Sequence, residues 1–191
     1  MNVIEIKVTL EDIKPAVTRI LQVPDKIRLD RLHLTIQAAM GWNNTHLYMF
    51  GAGNMTWGLS DPEYGGDELS PSKATLADVI EKTGVSRFRY VYDFGDGWEH
   101  VLEIVQIMRP FPGELYPRLT KVAGRCPPDD VGGYPGYEAF LQAMADPKHP
   151  EHEDLKACYG GSFDPNMPPA DTHRLDVLKL AKRWRTKKAE C

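Results

Sequence analysis

The first half of the chain alternates apolar and polar positions with the period of two that β-strands require. The strongest runs are Val3–Leu10, Val17–Val23, Arg87–Phe94 and Trp98–Met108. Weaker runs are His46–Phe50, a short segment near Trp57 and Leu119–Gly124. Because the strong runs occur as two pairs with short connections, each pair predicts an antiparallel hairpin.

Helical spacing of apolar residues follows the first pair of strands. Asp30 is expected to cap a helix that runs to Met40, with Leu29 and Leu34 packed against each other across its first turn. Gly41 follows at the position where a left-handed glycine ends many helices.

Four further helices are predicted, and they lie at Thr75–Gly84, around Tyr137–Met144, near Pro150 and from Asp171 to Lys187. The first carries a capping box, in which the side chains of Thr75 and Asp78 bond to backbone N–H groups. The order of elements predicts an α+β fold with a mainly antiparallel sheet and a helix-rich second half. We expect residues 1–191 to form one domain with a basic helical tail, 172–191.

The bulk composition narrows the classes of function. A formal net charge of −4 over 191 residues argues against a protein that coats nucleic acid through bulk positive charge. No apolar run is long enough to cross a bilayer, so no membrane partner is expected. The three cysteines, Cys126, Cys158 and Cys191, are widely spaced without a CxxC pair, which favours a reducing cytoplasm.

The stretch YDFGDGWEH, residues 92–100, places acidic, aromatic and glycine residues at the turn of the second hairpin. A two-residue turn would set Asp93 opposite His100 and scatter apolar residues over both faces. A three-residue turn at Gly95–Gly97, with its last glycine left-handed, sets Asp93 opposite Glu99 instead. We prefer this second register because it gathers one apolar face from Phe88, Tyr90, Tyr92, Phe94, Trp98, His100, Leu102 and Ile104.

Acidic residues around this turn form the candidate site. Two facing carboxylates need a proton, a cation or a basic side chain nearby, and a second acidic pair could fold over the hairpin. The candidate catalytic residues are Asp93, Glu99, His100, Asp129 and Asp130, with candidate ligand-binding walls at Trp98, Tyr134 and Tyr137. The alternative is that all of these are ordinary turn and core residues.

Other chemical signatures are weak. The spacing C-x22-H-x2-H-x5-C, formed by Cys126, His149, His152 and Cys158, is not a standard structural zinc spacing. A G-x-S-x-G elbow is absent, and Gly51-x-Gly53 lacks the third glycine of a phosphate loop. From the sequence we therefore assign no metal ligand and expect no cofactor.

The tail LKLAKRWRTKKAEC is the segment where nucleic acid could bind. Leu175, Leu178 and Ala181 are expected to face the core. Basic side chains also favour a helix C-terminus, so binding there is expected to be weak. The basic residues are Lys179, Lys182, Arg183, Arg185, Lys187 and Lys188.

Four segments together resemble a known family. They are GWNNTHLYMF (41–50), YVYDFGDGWEHVLEI (90–104), CPPDDVGGYPGYEAFL (126–141) and SFDP (162–165). In this order and spacing they resemble the plasmid pRiA ORF three-like family, whose members are often labelled TnpR-type passenger proteins of insertion elements. The resemblance covers about residues 3–180 and implies an α+β fold. The family often reads PIWR where this chain has Ala16–Arg19.

A resolvase activity does not follow from that label. A serine recombinase needs a nucleophilic serine among arginines, whereas Arg31, Arg87 and Arg89 are scattered and no serine lies in an evident strained turn. We expect a cytoplasmic, plasmid- or mobile-element-associated binding or accessory module without enzymatic activity. The alternative is a metal-dependent hydrolase or nuclease with Asp93, Glu99, Asp129 and Asp130 as ligands and His100 as base.

Overall fold

The computed structural model describes residues 1–58 and 69–186, the side chain of residue 186 excepted. Its strands are β1 Val3–Leu10, β2 Val17–Pro24, β3 Tyr48–Ala52, β4 Met55–Gly58, β5 Arg87–Tyr92, β6 Trp98–Met108 and β7 Arg118–Ala123. Its α-helices are α1 Leu29–Met40, α2 Leu76–Thr83, α3 Gly133–Ala145, α4 His152–Cys158 and α5 Ala170–Thr186. Within these ranges, no helix is both long and apolar enough to cross a membrane.

The strands form one seven-stranded sheet in the order β4-β3-β5-β6-β1-β2-β7. Every pair of neighbouring strands in it is antiparallel. The first hairpin, β1–β2, lies inside the sheet between β6 and the edge strand β7, although both of those strands come much later in the chain. The predicted α+β class with a mainly antiparallel sheet is confirmed.

The helix ends are partly as predicted. Thr75 and Asp78 form the capping box at α2, and Gly41 ends α1 in the left-handed conformation at φ 88°. The cap assigned to Asp30 was wrong, because α1 begins at Leu29, with Arg28 at the N-cap position, two residues earlier than that cap implied. The Asp30 carboxylate lies in the first turn and accepts two hydrogen bonds from Arg28.

The second hairpin has a longer turn than either register that we considered. Tyr92 pairs with Trp98, so residues 93–97 form a five-residue loop closed by the Gly97 N–H on the Asp93 carbonyl at 2.6 Å. The preferred assignment of faces was right, because a shift of two residues preserves side-chain alternation. The cross-strand pairing was wrong, because Val91 and not Asp93 faces Glu99, and Phe94 is exposed at the tip.

The buried stripe of α5 also differs from the prediction. His173, Val177 and Ala181 are buried, whereas Leu175 is half exposed. Their spacing of four residues places these three side chains on one face, and α5 uses that face to pack against α1 and β7.

One buried cation joins three segments of the fold. Arg19 of β2 is completely buried, and its Nε donates to the Ala39 carbonyl in the last turn of α1 at 2.7 Å. Its Nη1 donates to the carbonyls of Thr18, Ala123 and Gly124 at 2.8–3.0 Å. Burial lowers the pKa of Arg19, and these carbonyls, one at the negative end of a helix, take the place of a carboxylate partner.

Replacing Arg19 with Met should lower the free energy of unfolding by about 3 kcal/mol or more, because several buried carbonyls lose their donor at once. Urea denaturation followed by circular dichroism measures this change. Arg174→Met, at an exposed position of α5, is the matched control and should shift the free energy of unfolding by no more than about 0.5 kcal/mol. Equal effects of the two substitutions would show that the Arg19 contacts do not stabilise the fold.

Candidate functional site

Three loops meet at one end of the sheet and bring a histidine and carboxylates together. His46 lies between α1 and β3, Asp93 in the β5–β6 turn, and Asp130 in the loop before α3. The Nε2 atom of His46 lies 2.7 Å from Oδ1 of Asp130 and 3.6 Å from Oδ2 of Asp93. One donor atom from each of the three residues lies within 4.8 Å of the other two.

The position of Asp93 follows from the hairpin turn. Its backbone is left-handed at φ 56°, a conformation that aspartate adopts more readily than most residues. Its Oδ1 accepts the N–H groups of Gly95 and Asp96 at 3.0 and 3.3 Å, which fixes the side chain within the turn. The other carboxylate oxygen is thereby directed at His46.

Backbone contacts lock the three loops to one another. The Asp93 N–H donates to the Leu47 carbonyl at 2.9 Å, and the Gly132 N–H donates to the Asp96 carboxylate at 3.2 Å. Gly133 packs so closely on the hairpin turn that a Cβ there would overlap the Asp96 carbonyl oxygen. The cluster is therefore held by contacts that do not involve its own donor atoms.

Asp129 lies beside the cluster and makes separate contacts. Its Oδ2 accepts the Asn43 N–H at 2.7 Å, and its Oδ1 lies 3.5 Å from the Tyr92 hydroxyl. Burial raises the pKa of Asp129, and the like charge of Asp130 acts in the same direction. This carboxylate therefore orients the loops around the cluster.

The charge on His46 depends on its neighbours. Burial alone would lower the pKa of His46, but the hydrogen bond that its imidazole donates to Asp130 and the charge of Asp93 outweigh it, so the pKa of His46 is raised. In the structure the imidazole is suited to carry a proton between the carboxylates.

A buried polar chain runs beneath these loops. His33 stacks on Tyr48 with ring centroids 3.5 Å apart, and its Nδ1 lies 2.7 Å from the Tyr90 hydroxyl. Its Nε2 bonds to the Asn44 side chain, and Gln37 donates to the same Tyr90 hydroxyl at 3.0 Å. This chain fixes the α1–β3 loop that carries His46.

The structure separates the residues that the sequence had grouped. Asp93, Asp129 and Asp130 come together, but Glu99 lies outside the cluster because its strand position directs it to the opposite face, where it pairs with Arg89. His100 is completely buried, and burial lowers its pKa to about 4, so it cannot reach a substrate as a base. This corrects the roles suggested for Glu99 and His100.

The three aromatic residues proposed to bind a ligand differ in their exposure to solvent. Trp98 and Tyr137 are buried in the core, and Tyr134 is exposed at the start of α3. His46 was not predicted as a site residue, although it lies within the motif GWNNTHLYMF, because its partners come from distant loops.

The zinc-type residues and the described part of the basic tail are not part of the His46 cluster. Within residues 1–58 and 69–186, the His46 group is the only metal-competent cluster, so Cys126, His149, His152 and Cys158 do not converge. In the tail, Lys179 pairs with Asp176 at 2.8 Å and Arg185 is exposed. Lys182 and Arg183 lie in α5 and make interactions of their own. Lys187 and Lys188 lie outside the described residues.

The fold and the cluster define an α+β protein with a histidine, a buried carboxylate and an exposed carboxylate together at one end of its sheet. The sequence profile of the plasmid pRiA4b ORF-3-like protein family matches residues 2–171, and the chain belongs to this family, as its motifs had indicated. It is 44% identical over 191 residues to the uncharacterized protein y4hQ of Sinorhizobium fredii (strain NBRC 101917 / NGR234), covering 97% of this chain and 96% of that protein.

A solved structure is also similar. The crystal structure of MM3350, a protein of unknown function from Methanosarcina mazei Go1, matches with a TM-score of 0.79 at 31% identity. The match covers 90% of this chain and 96% of that chain. Neither relative's name states an activity, so the function has to be argued from the site itself.

Acid should destabilise the protein steeply between about pH 6.5 and pH 4. Burial lowers the pKa of His33, His100 and His173 to about 4, whereas their ordinary value is 6.5. Protons therefore bind the unfolded chain preferentially, so the stability is full above pH 6.5 and is lost as the pH falls. Urea unfolding at successive pH values should give a slope approaching about three protons per molecule.

In the same experiment, His46 serves as a control for the three buried histidines. The pKa of His46 is raised in the folded state, so below about pH 5.5 this residue is protonated in both states, and His46→Gln should leave the slope unchanged there. A free energy of unfolding that stays flat from pH 6.5 to pH 4.5 would contradict the neutral, buried state of the other three histidines.

Proposed function

We propose that this protein is a metal-binding module that holds a divalent ion between His46, Asp93 and Asp130. The observation that carries the proposal is the convergence of one nitrogen and two carboxylate oxygens within 4.8 Å. Two carboxylates neutralise a divalent charge and suit Mn²⁺, and the imidazole favours Zn²⁺ over Mg²⁺ or Ca²⁺. The loops are already locked, so little reorganisation is needed.

The number of ligands determines whether the bound ion is accessible. Three protein ligands leave at least one coordination position for water or another molecule, unlike a closed structural site. His46 must lose its proton to bind the ion, so metal affinity should fall as the pH drops through the raised pKa of His46.

Asp93→Asn is the sharpest test of metal binding. Asparagine adopts the same left-handed backbone and keeps an oxygen for the turn N–H groups, so the substitution removes a ligand oxygen and its charge while leaving the fold. In the wild type, Mn²⁺ or Zn²⁺ at 100 times its Kd should raise the free energy of unfolding by about 2.7 kcal/mol. The variant should lose most of this gain.

Asp12→Asn is the matched control, because Asp12 is an exposed aspartate with φ 57° in the β1–β2 turn, away from the cluster. Isothermal titration calorimetry on the three proteins measures the affinity directly. Metal binding by Asp93→Asn at wild-type strength, or its equal loss in Asp12→Asn, would refute the assignment of these ligands.

A second candidate function is metal-dependent hydrolysis, and an open groove beside the cluster favours it. The groove has a volume of about 490 Å³, and His46, Thr45 and Tyr48 are among the residues that line it. A substrate there would lie next to an ion that lowers the pKa of bound water. The candidate reaction is therefore hydrolysis of a phosphodiester or a related bond at one ion.

Hydrolysis is tested separately from metal binding. Mn²⁺-loaded wild type is incubated with a labelled single-stranded oligonucleotide, with Asp93→Asn and Asp12→Asn as before. If the protein is a hydrolase, the wild type and Asp12→Asn should cleave the oligonucleotide, and Asp93→Asn should not. Metal binding without cleavage supports the non-enzymatic module.

The proposed setting is a reducing compartment, as an accessory protein of a plasmid or other mobile element. Cys126 and Cys158 are both free thiols in the described part of the chain, which supports the cytoplasm. The family's plasmid origin supports the association with mobile DNA.

A further inference from the structure

A second cavity lies between the start of α1, the segment before β7 and the last turns of α5. Its volume is about 390 Å³, within the range of about 300–1,000 Å³ that small-molecule sites occupy. It shares no lining residue with the groove beside His46. Much of its wall is apolar, formed by Ile27, Leu115, Tyr116, Pro117, Ala181 and Trp184.

The charged residues of this cavity are mostly basic. Lys26, Arg28, Arg31 and Arg185 line it, against the single acid Glu114, in a chain whose net charge is −4. Glu114 pairs with an arginine outside the cavity, Arg118, at 3.4 Å. In residues 1–58 and 69–186, neither Arg31 nor Arg185 forms an ion pair. The cavity therefore offers two guanidinium groups to an anion.

Two planar groups, a guanidinium and an indole ring, form a pair in the wall of the cavity. The guanidinium carbon of Arg31 lies over the Trp184 ring, 5.0 Å from its centroid. Indole and guanidinium planes are the surfaces on which nucleic-acid bases stack in proteins. An apolar wall, a planar pair and two arginines are thus brought together in one cavity.

We propose that this cavity binds a nucleoside phosphate, with the base against Trp184 and the apolar wall and the phosphate at Arg31 and Arg185. A phosphate dianion matches two guanidinium forks, whereas the carboxylate of a fatty acid requires only one. The ligand is a free nucleotide or the terminal nucleotide of a single strand, which share this chemistry. The proposal is independent of the metal site.

Tryptophan fluorescence offers a direct readout. Trp42, Trp57 and Trp98 are at most 7% exposed, so Trp184 is the tryptophan that a base in the cavity would contact. The protein is titrated with AMP, adenosine, inorganic phosphate, dodecanoate and a 5′-phosphorylated oligodeoxynucleotide. AMP should quench the fluorescence saturably, at concentrations where adenosine and phosphate do not.

Arg185→Gln is the main variant, because Arg185 is exposed and its replacement leaves the fold intact. It should weaken AMP binding by at least about tenfold, as expected for losing a hydrogen bond to a charged group. Arg31→Gln should act similarly, and calorimetry measures both without relying on fluorescence. Arg174→Gln, on the same helix but outside the cavity, is the control and should bind AMP like the wild type.

The outcomes separate the alternatives. Equal affinity for AMP and inorganic phosphate, or tighter binding of dodecanoate, would overturn the nucleoside phosphate assignment. Absence of saturable AMP binding, or equal weakening by Arg174→Gln, would overturn the site itself. If AMP binding is shown, an oligonucleotide that binds at least as well identifies a strand end as the source, and one that fails to bind identifies the free nucleotide.

Discussion

The buried guanidinium of Arg19 is the contact on which the arrangement of the elements depends. A charge without exposure to water needs polar partners, and here every partner is a main-chain carbonyl, from β2, α1 and the end of β7. The Ala39 carbonyl lies in the last turn of α1, where carbonyls have no N–H partner within the helix, so Arg19 supplies the missing donor. The end of α1, the sheet and the chain leading to α3 are therefore fixed relative to one another by one side chain.

The candidate metal cluster relies on that arrangement. α1 delivers the loop with His46, and the chain after β7 delivers Asp130, so both depend on elements that Arg19 joins. The hairpin adds Asp93 through its own turn and a main-chain bond to Leu47. The donor atoms thus converge because of contacts elsewhere, which is the preorganisation that ion binding requires.

The sequence predicted the elements well, because strand and helix periodicity are local properties. The hairpin turn was predicted with the wrong length, because the left-handed Asp93 and its side-chain bonds replaced a glycine-based turn. His46 could not be paired with Asp130 from the sequence, because they are 84 residues apart and no local pattern encodes that approach. Glu99 was wrongly predicted to face Asp93, because the longer turn shifts the pairing of the two strands by two residues.

The position of the first hairpin between two later strands has a consequence for biosynthesis. β1 and β2 leave the ribosome before their outer partners, because β1 pairs with β6 and β2 with β7, around a hundred residues later. At typical elongation rates both outer edges of this apolar hairpin wait roughly 5–20 s for their partners. During that interval they are open to pairing with other nascent chains, so the yield of folded protein is sensitive to translation speed and to chaperones that cover strand edges.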